Sequence, residues 1–298
     1  MQSLSIDLHG PVHYVDWGGE GPPMVLVHGL GGSLTNWMTV GPGLARSNRV
    51  LALDLPGFGM TPPVGRSVSI ASQVATVSRF IERVAEGACT LVGNSMGGLI
   101  ASTLASERPE LASRLVLVDA VLPRAAGVSL DPVVTASFVA YMTPLLGGLL
   151  VRSRRRWSAR RYLDETLKLC GVDSARLDAS VVDAMLEGIR YRRTTDWADR
   201  SFLDAARAVA RMGLFAGRFR ALLRSVRCPT LMIHGTVDRL VPVGFARAVA
   251  TFCPAWDVEI MEGVGHVPQL QVPDRFVELV AGWRERVDRE RLAPASAG

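Results

Sequence analysis

Lysine is almost absent from this chain: Lys168 is the single one among 33 basic residues, so arginine carries nearly all the positive charge. Aromatic residues make up only 6%, and the four cysteines (Cys89, Cys170, Cys228 and Cys253) are scattered, with no C-x-x-C pair. No histidine stands near them at metal-ligand spacing, so a zinc ribbon or a disulfide framework is excluded and buried free thiols are expected. Low-complexity tracts and repeats of roughly 20 to 50 residues are missing, which excludes repeat architectures and a wholly disordered chain. Neither H-E-x-x-H nor a carboxylate cluster is present, so no metal is expected. Gly29-Leu30-Gly31-Gly32 lacks the third glycine of a dinucleotide fingerprint, Leu34 standing in its place. No G-x-x-x-x-G-K follows Asp54 to Gly59, so a phosphate cradle is excluded there and no cofactor is expected. Met1 to His9 contain no basic stretch followed by an apolar one, and the cytoplasm is the expected compartment. The pI of 9.4 comes with no helix-turn-helix, zinc-finger or RNA-binding motif, so nucleic acid is not an expected partner.

What remains is a chain of 298 residues that is 48% apolar, enough for a sizeable core. Its net charge of +5 is unevenly placed: residues 123–227 hold 19 basic and 10 acidic residues, and the rest hold 14 and 18. Short apolar runs recur at Met24–Val27, Val50–Leu53, Thr90–Val92, Leu115–Val118, Thr230–Ile233 and Asp257–Met261. Continuous apolar runs of this length suit strands buried on both faces. Helix-like stretches lie between them at Val68–Ala85, Met96–Ser106, Pro242–Thr251 and Pro273–Val287. Leu4–Leu8 and Val12–Trp17 read as a hairpin turning at Gly10-Pro11. The alternation predicts an α/β fold: a mostly parallel, twisted sheet with helices on both faces. It stops after Asp119-Ala120 and resumes at Cys228-Pro229. The expected organisation is therefore a core of residues 1–122 and 228–298, with a helical cap at 123–227 after the sixth strand. The tail from Arg289 to Gly298 is expected to fray.

Gly93-Asn94-Ser95-Met96-Gly97 joins a strand-like run to a helix-like one. A G-x-S-x-G sequence at such a junction is a nucleophile elbow, in which small flanking residues let the serine project above the sheet. Serine needs a base, and the base needs an orienting acid. Of the five histidines, His266 lies in a glycine-containing turn beyond the last strand, where it can swing over the sheet top. Asp238, after the preceding strand, is the expected acid; Asp119, at the end of the strand after the elbow helix, is its rival. An Asx-turn carboxylate is the alternative role for Asp238. Oxyanion donors are expected from the backbone N–H groups of Met96 and Leu30, with Gly31 as the second choice in the glycine-rich loop. His28, His234 and Asp54 read as structural.

With His28-Gly29, Asp54–Gly59, Gly93–Gly97, Gly235–Asp238 and Gly265-His266 in this order, the chain resembles the α/β-hydrolases, in the branch of capped serine esterases and lipases. The resemblance spans roughly residues 10–120 and 228–287. It implies an acyl-enzyme on Ser95, with His266 as base and Asp238 as orienting acid, acting on short-to-medium acyl or lipid esters. The elbow is also similar to that of hydrolases that cut carbon–carbon bonds in meta-cleavage products, although these usually carry tryptophan where Val267 stands. A ligand-binding protein of low turnover is a third reading.

Val133 to Val151 carry no charge, and Arg152, Arg154, Arg155, Arg156, Arg160 and Arg161 follow. Pro144 and Gly147-Gly148 interrupt the run, so a membrane span is rejected. Two readings remain: helices packed on the core, or an apolar lid face rimmed by arginines that contacts anionic membranes peripherally.

Overall fold

The computed structural model describes residues 2–292. Eight strands form one sheet: β1 (Gln2–Asp7), β2 (Pro11–Gly18), β3 (Pro23–Val27), β4 (Arg49–Leu53), β5 (Cys89–Asn94), β6 (Ala112–Val118), β7 (Thr230–Gly235) and β8 (Asp257–Met261). Their order is β1-β2-β4-β3-β5-β6-β7-β8. β1 and β2 pair antiparallel, β2 also runs antiparallel to β4, and every pair from β4 to β8 is parallel. Each apolar run of the sequence lies inside one of these strands. The hairpin bends one residue earlier than expected. His9 and Gly10 take positive φ values of 62° and 123°, and Pro11 already belongs to β2.

Successive side chains of a strand point to opposite faces, and the core divides accordingly. Val25 and Val27 of β3 join one cluster, while Met24 and Leu26 join the other. The first face is covered by α2 (Ile70–Phe80) and α3 (Met96–Glu107), which follow the short α1 (Gly41–Leu44). Ser69 starts α2 by accepting from Ser72 N–H. The helical run expected to continue to Ala85 changes character at Ile81: a wider turn forms, closed by Glu86 N–H donating to Ile81 O.

Between β6 and β7, the described residues contain no strand. Six helices lie there: α4 (Pro132–Met142), α5 (Pro144–Arg154), α6 (Ala159–Leu169), α7 (Ala179–Thr194), α8 (Ala198–Leu214) and α9 (Ala216–Ser225). α6 and α7 share a small core of Leu163, Leu167, Val181, Val182, Met185 and Leu186, which rests on Val267 and Leu270. The chain ends with α10 (Val243–Phe252), α11 (Pro268–Gln271) and α12 (Pro273–Leu292). α12 covers the second sheet face through Phe276, Val280 and Trp283. It also corrects the expected fraying, because Arg289 to Leu292 form its last turn; residues 293–298 of that tail lie outside the described residues.

The strand order reverses at β3. The chain leaves β3 toward β4 on one side and returns to β5 on the other. A crevice opens at such a switch point beyond the carboxyl ends of the strands. Here it lies between the loop after β3 and the turn after β5, which carry Leu30 and Ser95.

Candidate active site

Ser95 links β5 to α3 with φ 56° and ψ −118°, outside the regions L-residues favour. Such strain persists only where the surroundings over-determine it. Here Ser95 N–H donates to Val118 O (3.0 Å), and Ser95 O accepts from Gly98 and Val121 N–H at 3.0 and 3.1 Å. Space explains the glycines. A Cβ on Gly93 would strike the Gly97 carbonyl, and one on Gly97 would strike Val27 O and approach His28 O to 2.7 Å.

His266 Nδ1 lies 2.7 Å from Asp238 Oδ2. The other oxygen of Asp238 accepts from Leu240 and Val241 N–H at 2.7 and 3.0 Å. The two readings of Asp238 are therefore not exclusive, since one oxygen closes the turn and the other meets the imidazole. Asp119 arrives at the same place from β6. Oxygens of Asp119 and Asp238 and a ring nitrogen of His266 all lie within 4.8 Å of one another.

The two carboxyls differ in charge. Burial, then the neighbouring Asp238, pushes Asp119 well above the usual carboxylate range, against a hydrogen bond from Gly235 N–H to Asp119 Oδ1 (2.9 Å). Burial also pushes Asp238 upward, but His266 outweighs it by charge and hydrogen bonding, His234 adds its charge and Val241 N–H a hydrogen bond, and Asp238 settles below the usual range. Two adjacent buried carboxyls cannot both ionise cheaply. The proton resides on Asp119, and the negative charge on Asp238, against His266.

Ser95, His266, Leu30 and Met96 line one cavity of about 780 Å³. Its walls include Leu163, Leu167, Met185, Ile189 and Phe202 from the inserted helices. Among the described residues, no hydrogen bond from outside α3 engages the amides of Leu30 and Met96, and none engages the Ser95 hydroxyl. Met96 is the first residue of α3, where N–H groups have no partner within the helix and the dipole favours negative charge. The loop of Leu30 is braced by His28, which donates from Nδ1 to Gly29 O (2.8 Å) and accepts at Nε2 from Leu55 N–H (3.0 Å). Asp54 is also a brace: its oxygens accept from Leu34 and Met60 N–H, both at 2.8 Å, and meet His13 Nδ1 at 2.8 Å. A Cβ on Gly59 would strike this carboxylate. His234 donates from Nε2 to Val241 O (2.8 Å), inside the wall behind Asp238.

Three contributors escape a reading of the sequence. Asn94, an unspecified position of the elbow motif, donates from Nδ2 to Val118 O and His266 O, both at 3.0 Å. Cys170, at the end of α6, offers its carbonyl to His266 N–H (2.9 Å), while burial, then the charge of Asp238, pushes its thiol up to about 12. Arg192 of α7 donates from Nη1 to Gly31 O (3.0 Å). Nothing in the sequence distinguishes Arg192 from its many arginine neighbours, because its partner lies 161 positions away.

A family model described as alpha/beta hydrolase fold matches residues 22–273. The chain is 30% identical to 2-hydroxy-6-oxo-2,4-heptadienoate hydrolase of Pseudomonas putida, over 88% of each chain. It is 28% identical to pimeloyl-[acyl-carrier protein] methyl ester esterase of Aeromonas hydrophila, over 88% of this chain and 95% of that one. A 27% match covers 90% of this chain, which spans 65% of the length of that relative, the dihydrolipoyllysine-residue acetyltransferase component of the acetoin cleaving system of Cupriavidus necator. A crystal structure of a putative lipase from Acinetobacter baumannii superposes with a TM-score of 0.76 at 21% identity, over 97% of this chain and 92% of that one.

Proposed function

Because the chain belongs to the alpha/beta hydrolase fold family, we propose that it is a serine hydrolase that cleaves carboxylic esters of apolar, short-to-medium acyl groups. The single observation that carries this reading is the 2.7 Å pairing of His266 with a charged, buried Asp238, in the cavity that Ser95 enters from a strained turn. His266 removes the Ser95 proton as Oγ attacks the ester carbonyl. The oxyanion that forms accepts from the N–H groups of Leu30 and Met96. As the carbon–oxygen bond breaks, His266 passes the proton to the leaving alcohol. Water, deprotonated by the same imidazole, then releases the acid and restores Ser95. Asp238 holds the imidazole so that Nε2 faces the serine, and balances its charge. The inserted helices act as a cap whose apolar side chains receive the acyl chain.

The test is a p-nitrophenyl ester series from acetate to palmitate, beside Ser95→Ala and His266→Ala. Turnover lost by at least about a thousandfold in both variants supports the reading, and turnover retained in Ser95→Ala sinks it. The 30% identity to a 2-hydroxy-6-oxo-2,4-heptadienoate hydrolase favours a second reading, carbon–carbon bond hydrolysis. Bleaching of that coloured dienoate by the protein, without ester turnover, would select it.

A further inference from the structure

α4 and α5 form a bent pair, turning by 118°. Val133, Val139, Met142, Leu145, Leu146 and Leu149 are all exposed, with Leu145 at 81%; the three residues of α4 also border the cavity that holds Ser95, and the three leucines of α5 do not. These six lie within 17 residues of a chain that exposes only ten large hydrophobics among its described residues. Soluble surfaces scatter such residues singly, whereas a contiguous patch marks an interaction site.

The face is graded. Leu145, Leu149 and Arg152 stand at i, i+4 and i+7 on α5 and so share one side of the helix. Seven residues rise about 10 Å, close to the depth at which an interfacial helix changes from acyl chains to headgroups. Arg152 and Arg156 are exposed at the basic end, beside Arg155, which pairs with Asp199 of α8 (2.7 Å), and Pro132 to Arg154 contain no acidic residue. Neither helix is a span by itself, since among the described residues no single helix is long and apolar enough to cross a membrane. The same α4 also borders the cavity, through Phe138, Val139 and Met142.

We propose that the α4–α5 pair docks on an anionic lipid bilayer, with Leu145, Leu146 and Leu149 in the acyl layer and Arg152 and Arg156 at the phosphates, so that the Ser95 cavity draws its ester from that bilayer. The choice of bilayer over a folded acidic partner rests on the grading from apolar tip to basic base along one helix side. The docking rests on the ester-hydrolase reading only for its purpose, and its test is independent of turnover.

The experiment is flotation of the Ser95→Ala protein with vesicles of phosphatidylglycerol and phosphatidylcholine in equal parts, against pure phosphatidylcholine. The protein floats with the anionic vesicles and not with the neutral ones, and high salt weakens the association. Leu145→Glu/Leu149→Glu and Arg152→Glu/Arg156→Glu each weaken it by at least about tenfold. In an otherwise unchanged protein, the same pairs leave p-nitrophenyl acetate turnover as it was, since none of the four residues lines the cavity. Vesicle binding unaffected by the leucine pair overturns the proposal, as does binding to soluble poly-L-glutamate as strong as binding to vesicles. Docking by a protein that keeps Ser95 and still turns over no p-nitrophenyl ester would overturn the hydrolase reading and leave the docking intact.

Discussion

Asp119 and Asp238 leave different strands and converge on one buried imidazole: His234 Nε2 lies 3.8 Å from Asp119 Oδ1 and 3.7 Å from Asp238 Oδ2. One carboxyl of this pair is charged and the other protonated, so only one can act as the counter-ion of His266. Asp238→Asn therefore lowers kcat by about a thousand- to ten-thousandfold, through loss of charge and of the correct imidazole tautomer. Asp119→Asn replaces a neutral carboxyl by a neutral amide that still accepts from Gly235 N–H, and costs less than about tenfold. Steady-state kinetics of the two variants decide the matter; the opposite ranking would make Asp119 the orienting acid.

The same pair shapes stability against pH. The pKa of Asp119 is raised on folding, so the folded state keeps a proton that the unfolded chain releases. Stability therefore falls as pH rises above about 4 and levels off once the folded carboxyl has ionised, with a slope of at most about 1.4 kcal/mol per pH unit. Asp119→Asn removes this loss, so the variant gains on the wild type as pH rises from 4. Urea midpoints measured at several pH values give the difference directly, and a gap independent of pH would contradict the assigned protonation.

The central strands β3 to β7 were legible because they are buried on both faces and read as apolar runs; Asp257–Met261 agrees with β8 residue for residue although it is half-buried and carries Asp257 and Glu259. Ser95, Asp238 and His266 were legible because each sits at a strand exit with local turn chemistry. Asn94, Cys170 and Arg192 were not. Their contributions are single hydrogen bonds to carbonyls distant in sequence, and such partners leave no periodic trace. The wider turn at Ile81 was also hidden, because Ile81, Val84 and Ala85 keep a helical apolar spacing while the backbone bonding changes.

His28 is held neutral from both sides, because Leu55 N–H donates to Nε2 and leaves no room for a second ring proton. Burial accordingly lowers its pKa. The unfolded chain takes up a proton below about pH 6.5 that the folded site refuses, so this site's contribution to stability declines as pH falls through that value. His28→Phe leaves the Leu55 N–H without a partner and costs about 1–3 kcal/mol at pH 7. The deficit narrows toward pH 5, where the wild type alone carries the penalty. Thermal melts of both proteins across this range check the sign.

Two glycines make opposite predictions. In Gly97→Ala the new methyl meets the Val27 carbonyl of the neighbouring strand, which cannot move without breaking the sheet. The expected loss is about 1–3 kcal/mol or more, together with any turnover that depends on Ser95. Gly282 is exposed in the middle of α12, with nothing within 4 Å of an added Cβ. Gly282→Ala gains about 0.5–1 kcal/mol from helix propensity alone. Denaturant midpoints of the pair test whether the elbow glycine is required by space or merely by backbone freedom.

Arg192 reaches from α7 to the loop of the expected oxyanion donors, with its guanidinium 5.9 Å from the centre of the Phe58 ring and Nη1 on Gly31 O. It holds the carbonyl of Gly31, the residue after Leu30, and makes no hydrogen bond to Ser95 or His266. A displacement of this loop moves the Leu30 N–H relative to the oxyanion, and errors of about 1 Å at such a donor cost up to about a hundredfold in rate. Arg192→Met therefore lowers kcat by about ten- to a hundredfold while KM changes little, because the donor acts on the transition state more than on bound substrate. Arg192→Lys restores part of the rate by keeping one donor within reach of Gly31 O. A purely structural role would instead lower the urea midpoint and leave kcat per folded molecule unchanged, so active-site titration with a fluorophosphonate, run beside the kinetics, separates the two.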